Sequence, residues 1–257
     1  MIKKSSLMVK KNIILYLFIL FFSFQSFSQG EIDDEKKIFF RNEKTWGFFI
    51  FSNGWGGNYR KGRRINASRK FIWEADINYI RHPKEIKLTV DPYAATRFVY
   101  GKLNVPVEFR GSFGFQKRLF RKIDKSGVEV LFVYSGGPTI VLLKPIYYEV
   151  AYSDGLHVEK FDASKSQSVY GRAPFYKGMD EIKIDPGVFL KATFSFEFSK
   201  KDNKIKALEV GAVASAFLNE LEIMASQNSQ FLFNIFVSYR FGQIIRGGHM
   251  EGVEMIE

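Results

Sequence analysis

Three histidines, His82, His157 and His249, and no cysteine are all that the chain offers from the side chains most used as transition-metal ligands. Without thiolates there are no disulfides and no cysteine metal sites, and three imidazoles scattered along the chain do not make a histidine centre. No metal and no cofactor are therefore expected. His157 alone has candidate catalytic partners close in sequence, Ser153, Asp154 and Asp162. A serine activated by a histidine that a carboxylate orients is the machinery of acyl transfer, which would suit a lipid-modifying enzyme. Proximity in sequence is not geometry, and neither a Gly-x-Ser-x-Gly elbow nor a phosphate-binding loop accompanies these residues. The expectation is a non-enzymatic protein, with chemistry around His157 as an alternative.

The elements that would position such residues begin after an export signal. Lys3, Lys4, Lys10 and Lys11 precede an apolar run from Ile13 to Phe22, too short to span a bilayer as a helix. Ser26-Phe27-Ser28 places small residues at −3 and −1, so cleavage is expected after residue 28. Loss of the four lysines takes the formal charge from +11 to about +7, which bears on partners rather than on fold. Nucleic acid is an unsuitable partner for an exported chain. Residues 29–44 read as a periplasmic lead-in, 45–242 as one β-domain, and 243–257 as a C-terminal tail. The 28 phenylalanines, 12 tyrosines and 21 glycines, against 7 prolines, suit aromatic strands joined by tight turns.

Alternation supports this directly. From Phe231 to Phe241 every odd position is large and apolar, while Asn234, Ser238 and Arg240 hold even ones. That is the period of a strand with one greasy face, over the length a tilted strand needs to cross a bilayer. Similar patterns at Phe71–Tyr79, Val105–Phe115, Val128–Tyr134, Val188–Phe198 and Leu208–Ala216, with less regular strands at Thr45–Tyr59 and Thr139–Val150, give eight. Gly136-Gly137 is taken as a two-residue hairpin, the alternative being one long strand with a glycine bulge. Ala151 to Pro186 reads as a long loop. The predicted fold is all-β, an antiparallel up-and-down transmembrane β-barrel of eight strands. A soluble lipid-binding barrel is the structural alternative. With both termini in the periplasm, residues 82–97 form an oddly long periplasmic connection in this topology.

Eight strands enclose only enough space for side chains. The inward polar residues Lys70, Glu74, Asp76, Glu108, Arg110, Glu129, Lys191, Glu197, Glu209 and Arg240 are expected to pair across the lumen and plug it, since lone buried charges are costly. Arg60, Lys61, Arg63, Arg64, Lys117, Arg118 and Arg121 fall on two connections placed outside, where lipopolysaccharide phosphates would meet them.

The leader ending Ser26-Phe27-Ser28-Gln29, the aromatic strands and the closing Phe233-Asn234-Ile235-Phe236-Val237-Ser238-Tyr239-Arg240-Phe241-Gly242 resemble the small outer-membrane β-barrel proteins of Bacteroidetes, the PorT-like group among them. The resemblance implies residence in the cell outer membrane and, for some members, a part in secretion or envelope assembly. It carries no catalytic residues. The expected function is a structural or accessory component of an envelope assembly, possible protein partners included; a narrow pore or small-solute binder is the alternative.

Overall fold

The computed structural model describes residues 41–88, 98–123, 127–162, 169–201 and 203–246. The proposed leader, most of the lead-in, residues 89–97 and the tail beyond residue 246 lie outside them. In chain order the strands are β1 (Arg41–Phe51), β2 (Gly54–Arg64), β3 (Arg69–Ile80), β4 (Lys87–Leu88), β5 (Phe98–Val99), β6 (Asn104–Phe120) and β7 (Glu129–Pro145). They continue with β8 (Tyr147–Tyr152), β9 (Gly155–Lys160), β10 (Val169–Arg172), β11 (Lys183–Glu197), β12 (Lys204–Phe217) and β13 (Phe231–Arg246). The fold is all-β. Eight strands close an antiparallel barrel in the order β1-β13-β12-β11-β7-β6-β3-β2, with β13 sealing onto β1 from Arg41↔Arg246 to Phe51↔Phe236. Closure removes every edge from the main sheet. Among the described residues no helix is long and apolar enough to cross a membrane.

The barrel reaches further at both ends than residues 45–242, and two of its boundaries correct the sequence reading. The run Thr45–Tyr59, read as one strand, is a hairpin whose arms meet through Ser52-Asn53. Phe48 to Phe51 is apolar on both faces because the lumen wall turns aromatic there, which hid the alternation that would have marked a turn. Conversely, Gly136-Gly137 is no hairpin but the middle of β7, which runs unbroken. A Cβ on Gly137 would sit 2.1 Å from the Gly111 carbonyl oxygen, so the glycine serves the close approach of β6 rather than a reversal. The two errors cancel in the strand count but shift every connection between them to the opposite end.

With the strands placed correctly, the turns at 65–68, 121–128 and 198–203 share one end with both barrel termini. The connections 81–103, 146–182 and 218–230 share the other end with the Ser52-Asn53 hairpin. Residues 82–97 therefore belong to the long-loop end and are no longer an exception. The stretch 151–186 is also more ordered than a loop: β8, β9 and β10 form a small sheet, and a 3-10 turn at Met179–Glu181 precedes β11.

Parity distributes the side chains as strands require. Outward go Trp46, Phe48, Ile77, Phe113, Leu190, Phe233 and Ile235, with Leu190 72% and Phe233 68% exposed. Near the turn end these merge into an aromatic band: Trp46 meets Tyr59 at 4.8 Å between ring centres, Tyr59 meets Trp73 at 5.5 Å, and Phe132 meets Phe194 at 5.1 Å. One outward step beyond that band come exposed cations, Lys44, Lys61, Arg69 and Lys117 on β1, β2, β3 and β6.

Candidate functional site

The lumen is filled in three layers. Nearest the turn end, Lys70 pairs with Glu43, Arg118 with Glu129, and Lys122 Nζ lies 3.4 Å from Glu197. The central layer is a cluster of three cations and three carboxylates. Arg60 bridges Glu74 and Glu209, its Nη1 donating to Glu209 at 2.9 Å. Arg240 grips both oxygens of Glu209, at 2.9 and 3.0 Å, and donates to Thr45 Oγ1 at 3.0 Å. Lys191 reaches Glu74 at 2.6 Å and Asp76 at 3.0 Å. All six are buried. The fork of Arg240 on Glu209 is the bidentate geometry in which guanidinium and carboxylate bind most firmly.

Toward the loop end Arg110 pairs with Glu108 at 2.7 Å, and Thr139 and Asn78 donate to the same carboxylate at 2.9 and 3.3 Å. The Arg110 guanidinium also lies 5.1 Å from the Phe189 ring centre and 5.7 Å from that of Phe51. Here the interior becomes apolar: Phe49, Phe51, Phe189, Val213 and Phe236 form one cluster. A second, with Ile80, Val141, Leu143 and Phe217, takes in Leu221 and Ile223 from the 218–230 connection, which folds back into the mouth.

All ten residues assigned to the lumen from sequence thus have a defined place: Lys70, Glu74, Asp76, Glu108, Arg110, Glu129, Lys191, Glu197, Glu209 and Arg240 each meet an opposite charge. Four of their partners lie outside the set read from sequence: Glu43 in the lead-in, Arg60 and Arg118 among the expected lipid-facing cations, and Lys122 in a connection. For Arg60, parity with Asn58 and Gly62, opposite to Lys61 and Arg63, is the signal for an inward side chain. The rest of that basic group lies at the turn end, not the loop end. Lys61, Arg63 and Lys117 point outward, Arg64 donates to the carbonyls of Asn66 and Ala67 in the first turn, Arg118 belongs to Glu129, and Arg121 is exposed in the second connection.

His157 sits in the exposed β8–β9 hairpin, 3.1 Å from Asp154 and edge-on to Tyr152. This is a surface pair rather than a histidine bonded to a serine nucleophile. Among the described residues no group of three potential ligands could hold a metal ion. In the same small sheet, hydrogen bonds from Lys160 and Tyr147 hold the Glu181 carboxyl below its ordinary range, and burial pushes the Tyr148 phenol up.

No family model matches the sequence, and no curated protein matches it either. Among solved structures the chain is similar to Neisserial surface protein A, at 7% identity and a TM-score of 0.41 over 80% of this chain and 96% of that one. It is also similar to Ail, the attachment invasion locus protein of Yersinia pestis, at 7% identity and a TM-score of 0.39 over 80% of this chain and 99% of that one. Ail in complex with the heparin analogue sucrose octasulfate gives 7% identity and a TM-score of 0.37 over the same shares. The fold assignment rests on the register of the strands themselves, which close one antiparallel barrel of eight.

Proposed function

We propose that the barrel spans an outer membrane, with its long-loop end outside and its termini in the periplasm, and acts there as a non-enzymatic structural or accessory component of an envelope assembly. The observation that carries this reading is the inversion of the usual order: apolar side chains cover the outside while the paired charges lie within. A soluble barrel would expose that exterior to water at great cost, whereas hydrocarbon accepts it and demands a closed sheet. Short turns on the terminus side and long connections opposite follow the same pattern. The cations below the aromatic band then lie at the level of inner-leaflet phospholipid headgroups, which replaces lipopolysaccharide as their partner. A leader at residues 1–28 would supply export.

The lumen supports an accessory role over a pore, because the central charge cluster and the apolar mouth leave it filled by side chains. The resemblance to PorT-like barrels, some of which take part in secretion or envelope assembly, points the same way.

Since the chain has no native cysteine, single cysteines report topology cleanly. A membrane-impermeant maleimide added to intact cells should label Ser153→Cys on the β8–β9 hairpin and spare Lys201→Cys in a turn; equal labelling of both would overturn the orientation. The accessory role is tested separately. Extraction in mild detergent should return an envelope protein in fixed ratio with the barrel, and a barrel that always emerges alone would count against it.

A further inference from the structure

Outside the barrel wall at the loop end, a cavity of about 480 Å³ lies between the ends of β2, β3 and β6 and the small β8–β10 sheet. Four cations line it, Arg81, Lys87, Lys102 and Arg172, against a single carboxylate, Glu85. That carboxylate is already engaged, 2.7 Å from Lys102 and 3.8 Å from Arg81. Among the described residues Lys87 and Arg172 have no carboxylate within ion-pairing distance, and Arg172 lies 5.8 Å from the Phe175 ring centre. The cavity thus holds an excess of positive charge beside aromatic walls, Trp55 and Tyr79, whose rings are 6.1 Å apart. Its floor is rigid: Tyr148 donates to the carbonyls of Val99 and Lys102 at 2.9 and 2.6 Å, and Phe98, Val105, Ile146 and Tyr148 pack together there.

A second hollow of about 700 Å³ adjoins it and shares Trp55, Arg81 and Glu85. Its other walls include Phe48 and Ile50, which belong to the apolar outer surface of β1. Charge and grease are therefore arranged in sequence, from a cationic pocket past Trp55 to the hydrocarbon-facing wall. A soluble anion would use only the first part. An amphiphile uses both.

From this juxtaposition we infer that the paired hollows bind one net-anionic, phosphate-bearing lipid of the outer leaflet, its headgroup held by Arg172, Lys87 and Arg81 and its chains laid along Phe48 and Ile50. The inference rests on the membrane reading proposed above. Guanidinium and ammonium groups match phosphate oxygens with charge-assisted hydrogen bonds, and the size suits a headgroup of one or two sugars.

The test uses the purified barrel in a non-ionic detergent, its fold verified by heat-modifiable gel migration. Native mass spectrometry follows adducts with lipid A, phosphatidylglycerol and phosphatidylcholine. One anionic lipid should be retained about tenfold more than phosphatidylcholine, as expected for two charge-assisted contacts that partly survive solvation. Lys87→Ala with Arg172→Ala should abolish that preference, whereas Lys204→Ala at the opposite end should leave it intact. Equal retention of anionic and zwitterionic lipid by a correctly folded barrel would overturn the proposal while leaving the transmembrane reading standing. Displacement of the lipid by an equal concentration of inorganic phosphate would also overturn it, as the site would then recognise a free anion. A barrel that folds only without lipid or detergent would fail the membrane reading instead.

Discussion

Glu209→Ala should destabilise the barrel by about 3–5 kcal/mol, because it strips both Arg60 and Arg240 of a buried counter-ion. The measurement is urea unfolding in lipid vesicles, followed by tryptophan emission. Leu208→Ala, one residue away on the outer face, is the matched control and should cost far less, since that side chain is 44% exposed and meets no lumen charge. The central cluster holds Arg60, Lys191 and Arg240 against Glu74, Asp76 and Glu209, so its charge sums to zero. Removing one charge of each sign preserves that balance. Combining Arg240→Met with Glu209→Leu should therefore cost less than Glu209→Ala alone, despite deleting more interactions. Equal losses for Glu209→Ala and Leu208→Ala would show that lumen water compensates the charges and that the cluster is not what holds the interior.

Gly137→Ala should impair assembly of the barrel, whereas Gly111→Ala across the same pair of strands should be tolerated. The added Cβ at Gly137 would stand 2.1 Å from the Gly111 carbonyl oxygen, a backbone atom that cannot rotate away. At Gly111 an added Cβ meets nothing within 4 Å. Forcing an extra carbon into packed structure typically costs about 1–3 kcal/mol, and here β6 and β7 must separate along a seam that closes the barrel. The yield of heat-modifiable, folded protein in outer-membrane fractions reads the difference. Comparable yields for the two variants would mean that the strands yield at this point.

What the sequence makes legible is parity, and what it hides is where parity is interrupted. On β3, β11, β12 and β13 the outward face is apolar along the middle of the strand while the inward face carries the charges Glu74, Asp76, Lys191, Glu209 and Arg240, so those lumen residues follow directly from alternation. At the loop end the lumen itself becomes aromatic, with Phe49, Phe51 and Phe189 inside and Phe48 and Ile50 outside. Two apolar faces carry no period, and the one mark of the turn is the Asn53-Gly54 pair, a hairpin signal submerged in a glycine-rich stretch. Gly136-Gly137 is the converse: a turn-like pair whose purpose is the distance between two backbones, which no single strand's sequence expresses. Long-range closure is illegible for the same reason. Leu221 and Ile223 read as a connection, and only the folded barrel shows that they cap its mouth. The basic run 60–64 mixes one inward arginine with two outward cations, and composition masks what position separates.

The Ser52-Asn53 hairpin has one more implication. Three of the four connections at that end are long; this one is two residues, which leaves a gap beside the described parts of its neighbours. The hollow between Phe48, Ile50 and Arg81 lies at that gap, bordered by Ser52 and Asn53 themselves. A brief turn in this place leaves that hollow open to the side of the barrel, and lengthening the turn should close the opening without touching a single cation. Brevity, a trait easily credited to the economy of a tight hairpin, is here what grants sideways entry.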